Sequence, residues 1–283
     1  MVGPAALAET DPMPTPPPMK TIESNVADEA ARAAGDVLKR FYRDGVSMRN
    51  KDVANLVSDA DVEAERVVVA TIRGHFPGHE VLGEEGHAGD TSAEHLWVVD
   101  PLDGTANFAH QIPVFAVSIA YYRSGVPECG VIFNPITDEW FTAIRGQGAF
   151  QGTRPARVSG RARLDEVVVG FGLPYDRGAL MEATLAATAE FVRRETHGVR
   201  RMGSAALDLC MVGLGRFGVY FEYLLSPWDF AAGRLFVEEA GGRVTDCRGG
   251  APPLARTGIL ASNGLLHEAA LKILRAHDPG EIV

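Results

Sequence analysis

The sequence predicts an α/β fold of α+β character, a layered sandwich in which helix and sheet layers alternate. Two observations predict it. Apolar positions at helical spacing and short apolar runs bounded by turn residues interleave along the 283 residues, without the regular strand–helix period of a barrel or any internal repeat. With 46% hydrophobic and 23% charged residues, the chain also has the material for a large core. We expect residues 1–20 to be a disordered, proline-rich tail and residues 21–283 to form a single domain, with lobes at approximately 21–152 and 153–283.

The tail, "MVGPAALAETDPMPTPPPMK", has neither a basic n-region nor a long apolar run, so it does not read as a secretory signal. Helical spacing of Ala27, Ala30, Ala31, Ala34, Val37, Leu38 and Phe41 predicts a helix over 21–43. A second helix is predicted from Asp59 to His75, stopped by Pro77-Gly78. Short strands follow at Val81-Leu82 and Leu96–Val99. The stretch 115–144 reads as an antiparallel meander, and "GQGAFQGTRPARVS" as a hairpin. In the second half, "VVVGFG", "FGVYFE", "RVTD" and "GILASN" read as strands. Residues 179–194, "SAALDLCMVGLG", "WDFAAGRLFVEEAG" and 264–276 read as helices.

A formal charge of −10 makes nucleic acid an unlikely partner, and the cluster Arg193, Arg194, Arg200, Arg201 reads as a solvated face. No apolar run reaches the roughly 20 residues that would span a bilayer. Cys129, Cys210 and Cys247 are odd in number and far apart, which reads as buried free thiols in a reducing cytoplasm.

The stretch "WVVDPLDGTANF" sends an apolar strand into two carboxylates, Asp100 and Asp103. Pro101 is expected to turn the chain out of the sheet there. Two like charges so close require a cation, a shared proton or divergent side chains. Other acids also stand at element ends: Glu84 and Glu85 in "VLGEEG", and Asp229 in "SPWDFAAG". Such hard oxygen donors suit Mg²⁺ or Mn²⁺, and no His/Cys cluster competes. Taken singly, Asp229 reads equally as a helix cap and Asp103-Gly104 as a plain turn.

In combination, "GEEG", "WVVDPLDGTANF", "PWDFAAG" and "EEAGG" resemble the motif set of the inositol monophosphatase family, in its order. "NLVSDAD" resembles its upstream element, and the likeness covers roughly residues 21–270. "DGTANF" is closer to that branch than to the nucleotide 3′-phosphatase relatives. The resemblance implies the family's fold and a phosphomonoesterase activity on a small polyol phosphate, inositol 1-phosphate first. It implies one Mg²⁺ on Glu84, Asp100 and the carbonyl of Leu102, and a second on Asp100, Asp103 and Asp229. A third, weaker ion would share Glu84. Thr105 and Asp61 correspond to the pair that orients and deprotonates the attacking water, with Glu84 also at the reacting centre. Asp103, Gly104, Thr105, Gly203, Ser204, Ala205, Glu222 and Asp229 correspond to substrate contacts. A homodimer is implied by resemblance alone. Asn55, Leu224 and Ser226 depart from the usual pattern; they leave the metal ligands intact and bear on the polyol pocket. Histidinol phosphate, fructose 1,6-bisphosphate or another sugar phosphate are alternative substrates, because specificity rests on a few pocket residues. A non-catalytic, partner-binding role is the reading from a different class.

Overall fold

The computed structural model describes residues 20–45, 48–52, 55–175 and 177–280. The expected tail therefore lies, except for Lys20, outside the described residues. Helix α1 (Ile22–Asp44) is capped by Thr21, whose side chain accepts from Ser24 N–H, and a hairpin of β1 (Met48–Asp52) and β2 (Asn55–Ser58) follows. Helix α2 (Asp59–His75) ends just before Pro77-Gly78.

Seven strands then build the first sheet in sequence order: β3 (Glu80–Gly83), β4 (His95–Asp103), β5 (Ala116–Arg123), β6 (Val126–Asn134), β7 (Glu139–Ile144), β8 (Gly148–Gln151) and β9 (Arg154–Pro155). Only the β3–β4 pair is parallel. Between β4 and β5 lies the short helix α3 (Thr105–Ala109).

The second sheet has the order β11-β10-β12-β14-β13, from β10 (Val168–Phe171), β11 (Gly198–Arg200), β12 (Val219–Leu225), β13 (Arg243–Thr245) and β14 (Thr257–Ser262). Its helices are α4 (Ala179–Arg193), α5 (Ala205–Gly213), α6 (Pro227–Glu239) and α7 (His267–Ala276).

Side-chain alternation along the strands explains the layering. On β4, Trp97 and Val99 point to one face and pack with Ala27, Ala30, Ala34 and Val68 of α1 and α2. Leu96 and Val98 point to the other and pack with Ala206 and Cys210 of α5 and Ala231, Leu235 and Phe236 of α6. On β12, Tyr220 faces α5 and α6, whereas Val219 and Phe221 face α4 and α7. The order is therefore helices, sheet, helices, sheet, helices. Helix α5 lies in the central layer and is buried on nearly every side, which is why its sequence has no polar stripe. A Cβ on Gly233 of α6 would stand 2.5 Å from Leu209 Cδ1, so glycine sets how closely α5 and α6 approach.

The expected exit of the chain at Pro101 does not occur. β4 continues to Asp103 through an irregularity: Asp100 pairs with Ser118 and Asp103 with Ala116, so three steps on β4 match two on β5. The sheet accepts Pro101 because the ladder is already interrupted by this bulge. The last helix starts at His267, three residues later than expected. The basic cluster is largely a solvated face as expected, with Arg193 and Arg194 pairing to Glu190 one turn earlier. All three cysteines are free and buried. Among the described residues no helix is long and apolar enough to cross a membrane.

Candidate active site

The bulge in β4 is the first device of the site. In a regular strand, residues three apart point to opposite faces. The extra residue resets that alternation and lets Asp100 and Asp103 open into one cavity. Asp229 joins them from α6, and one oxygen from each of the three lies within 4.8 Å of the others.

Backbone donors hold each carboxylate. Asp100 Oδ1 accepts from Leu102 N–H at 2.9 Å, within the bulge itself. Asp229 Oδ2 accepts from Ser226 N–H at 2.7 Å, so Asp229 is the third residue of a capping box whose cap is Ser226. Asp103 Oδ2 accepts from Ser204 Oγ at 2.6 Å and Ala206 N–H at 2.7 Å, while Oδ1 is 3.3 Å from Ala205 N. The segment 203–205, expected to approach the substrate, therefore also clamps Asp103 with the start of α5. Asn107 Nδ2 steadies that segment by donating to the carbonyls of Met202 and Val114, at 2.8 and 2.7 Å.

These acids are strained as anions. Burial, then the charges of Glu84, Asp103 and Asp229, push the Asp100 carboxyl well above the usual range. Burial followed by Asp103 and Glu84 does the same to Asp229. Burial lifts Asp103 to about 6 against its three hydrogen bonds. Hard carboxylate oxygens gathered this closely, and unable all to ionise unaided, fit a divalent cation such as Mg²⁺ or Mn²⁺. Glu84 lines the same cavity, as does Leu102.

Thr105 opens α3 directly after Gly104, whose φ of +99° makes the tight strand-to-helix turn. A Cβ at Gly104 would lie 3.0 Å from Val114 O and 3.2 Å from Gly203 O, so a side chain would be tightly packed as well as strained by the positive φ. Thr105 Oγ1 is 3.2 Å from Asp61 Oδ1 and 3.1 Å from Leu102 O. Asp61 is buried in the first turn of α2.

The cavity measures about 920 Å³. Gly104, Thr105, Gly203, Ser204, Ala205, Glu222 and Asp229 all line it, so the structure brings together every expected cavity residue; Asp61 reaches it through Thr105. Glu222 is buried on β12, accepts from Tyr220 Oη at 2.8 Å and is pushed up by burial to about 7. Tyr220 was not among the expected residues, although it shares a strand face with Glu222 at a spacing of two. Gly172, Asp208, Tyr175, Arg177 and Arg256 also line the cavity without having been singled out, and so does Arg201, which was expected to belong wholly to a solvated face. Burial pushes Asp208 well up, and its Oδ1 has no hydrogen-bond partner.

Known proteins resemble the chain along nearly its whole length. The chain is 42% identical over 254 residues to an inositol-1-monophosphatase of Mesorhizobium japonicum, covering 89% of this chain and 95% of that protein. It is 40% identical over 262 residues to the Nus factor SuhB of Pseudomonas aeruginosa, covering 90% and 96%. Among solved structures, the extragenic suppressor protein SuhB of Bartonella henselae superimposes with a TM-score of 0.83 at 41% identity, over 92% of this chain and all of that one. The inositol monophosphatase of Anabaena gives 0.80 at 41%, over 90% and 96%. The model of the inositol monophosphatase family matches residues 22–278, and on that match the chain belongs to the inositol monophosphatase family.

Proposed function

We propose that this protein is a Mg²⁺-dependent phosphomonoesterase acting on a small polyol phosphate, with inositol 1-phosphate the leading substrate. The observation that carries the reading is the buried triangle of Asp100, Asp103 and Asp229 beside the Thr105–Asp61 pair. In this reading Glu84, Asp100 and the Leu102 carbonyl would hold one ion, and Asp100, Asp103 and Asp229 would hold a second. A third, weaker ion would share Glu84, and Mn²⁺ could replace Mg²⁺. When bound, Mg²⁺ supplies neutralisation of the phosphoryl oxygens and a lowered pKa for water.

The chain's own residues supply the remainder. Thr105 Oγ1 takes a proton from the attacking water as it passes its own to Asp61 Oδ1, and the burial of Asp61 keeps bulk water from competing for it. The short turn at Gly104 and Thr105 brings backbone N–H groups to the phosphate end of the cavity. Asp103, held by Ser204 and Ala206, keeps one orientation as charge moves through the reaction. Glu222, with Tyr220 donating to one oxygen, accepts from a polyol hydroxyl with the other. Gly203 and Ala205 offer backbone at close range to the polyol.

The test is phosphate release by purified protein, with and without Mg²⁺, from inositol 1-phosphate, histidinol phosphate, fructose 1,6-bisphosphate and 3′-phosphoadenosine 5′-phosphate. We expect Mg²⁺-dependent release, fastest from inositol 1-phosphate. Release that ignores Mg²⁺, or none from any of these, would refute the reading. A second reading is favoured by relatives named Nus factor SuhB, at 40% identity in Pseudomonas aeruginosa and Escherichia coli: a role that depends on binding a macromolecular partner. Catalysis and such a role can coexist. A folded Asp103→Asn protein that loses phosphate release yet replaces the wild type in the cell would favour it.

A further inference from the structure

Glu65 lies one turn beyond Asp61 on α2, so the two carboxylates leave the same face of the helix. Both are buried, at 1% and 2% exposure. Asp61 reaches Thr105, whereas Glu65 reaches the turn that carries Glu84. Glu65 Oε2 accepts from Glu85 N–H at 2.7 Å, and Glu65 Oε1 lies 2.7 Å from His87 Nδ1. The turn is closed behind it by Gly83 N–H, which donates to the His87 carbonyl at 2.8 Å. A Cβ on Gly83 would stand 2.5 Å from Glu65 Oε2, so glycine at 83 is what admits the carboxylate. The fixed points at 83, 85 and 87 bracket Glu84 on both sides.

The proposed reaction makes no use of Glu65. A purely architectural plug would also be a poor choice here, since an extra buried carboxylate beside an acidic cavity costs electrostatic free energy. That cost falls when the cavity holds a cation.

We infer that Glu65 is a positioning residue for the divalent-cation site, pinning the 83–87 turn so that Glu84 presents its carboxylate to the ion it shares with Asp100. The inference rests on the proposed role of Glu84 as a ligand. Outer partners of this kind set ligand orientation, and their loss weakens metal binding more than it alters chemistry at saturation. The two contacts make distinct demands on the side chain. Glutamine can keep both, with Oε1 accepting from Glu85 N–H and the amide donating to the other tautomer of His87. Alanine keeps neither.

The experiment titrates Mn²⁺ into metal-free protein by calorimetry, for the wild type, Glu65→Ala, Glu65→Gln and, as the reference for losing the ligand itself, Glu84→Gln. Melting temperatures report folding, and phosphate release against Mn²⁺ concentration separates half-saturation from turnover. Glu65→Ala is expected to weaken Mn²⁺ binding roughly 10- to 100-fold and to raise half-saturation by the same factor. Turnover at saturating Mn²⁺ should change far less, and Glu65→Gln should recover most of the affinity. Wild-type affinity in folded Glu65→Ala would overturn the inference. So would a fall in turnover with metal binding intact. If Glu65→Ala does not fold, His87→Ala decides: it removes one contact and leaves Glu85 N–H bonded to Glu65. A weakening of a few-fold is then expected, about what one lost hydrogen bond gives, and wild-type affinity overturns the inference. Protein that shows the expected Mn²⁺ shifts but releases no phosphate would refute the phosphatase reading and leave this inference standing.

Discussion

Replacing Gly172 by alanine should disable recognition of the polyol while sparing the metal ligands. Gly172 follows β10, and its N–H donates to the Phe221 carbonyl at 3.0 Å. A Cβ there would lie 1.7 Å from Glu222 Oε2 and 2.1 Å from its Cδ. Non-bonded heavy atoms settle near 3.5 Å, so the carboxylate must withdraw by roughly 1.5 Å or more. That movement breaks the 2.8 Å bond from Tyr220 Oη and takes Glu222 away from where, in the proposed function, it would meet a substrate hydroxyl. Losing one hydrogen bond to a charged group costs about 1.5–3 kcal/mol. In kcat/KM for the polyol phosphate this is roughly a 10- to 150-fold loss. Para-nitrophenyl phosphate carries no polyol hydroxyls and should be affected far less. The assay is steady-state kinetics on both substrates for wild type, Gly172→Ala, Glu222→Gln and the double variant, with melting temperature as the check on folding. Since both substitutions act through one carboxylate, the double variant should be little worse than Gly172→Ala alone. A folded Gly172→Ala protein with the wild-type ratio of the two kcat/KM values would refute the reasoning.

Asp103→Asn should lower turnover by about 10² or more, the scale of losing a principal electrostatic group, and near-normal phosphate release from the folded variant would sink the metal assignment. Because Asp100, Asp103 and Asp229 are all raised, Mn²⁺ binding near pH 6 should release protons and tighten as pH rises; calorimetry in buffers of different ionisation enthalpy should detect that release, and its absence would count against the acidic triangle. His267 is buried and lowered to about 4, so its neutral form supports the fold above pH 6.5 and that support is lost as pH falls toward 4. The shift corresponds to at most about 3 kcal/mol, and about 2 after allowing for screening; urea unfolding at pH 7 and 4.5 should show this loss in the wild type and a smaller one in His267→Gln.

Much of the architecture could be read because its signals are local. The limits of α1 and α2 follow from helical spacing and the Pro77-Gly78 stop, and the meander from apolar runs between turns. The hairpin β1/β2 and strand β11 went unread since "MRNKD" and "GVR" have too few apolar residues to show a period. The continuation of β4 past Pro101 was hidden for a different reason: a bulge cancels the rule that makes proline a strand breaker. In the site, the acids were legible as a set only through the motif resemblance. Tyr220 could have been found from its spacing to Glu222. The clamp on Asp103 could not, because Ser204 and Ala206 lie more than a hundred residues away and nothing local ties them to it.

The division of labour among the acids also follows from where their backbone donors lie. Asp100 is fixed by Leu102 N–H two residues on, and Asp229 by Ser226 N–H three residues back, so each is oriented by its own turn. Asp103 is fixed by α5, from the central helix layer, and so depends on how β4 and α5 pack. Two of the acids are thus oriented by local structure and one by tertiary structure. A change that loosens α5 against β4 should therefore reach Asp103 before it reaches the other two. The bulge makes this arrangement possible, since without the extra residue Asp100 and Asp103 would face opposite sides of the sheet and only one could meet Asp229. A side chain at Gly104 would press on Val114 O and Gly203 O and be strained by the positive φ, so it would crowd the β4 end against the loop that leads into α5. Gly104 thus holds Asp103 in reach of Ser204 while it delivers Thr105 to Asp61, and the acidic cluster and the Thr105–Asp61 contact are set by the same turn.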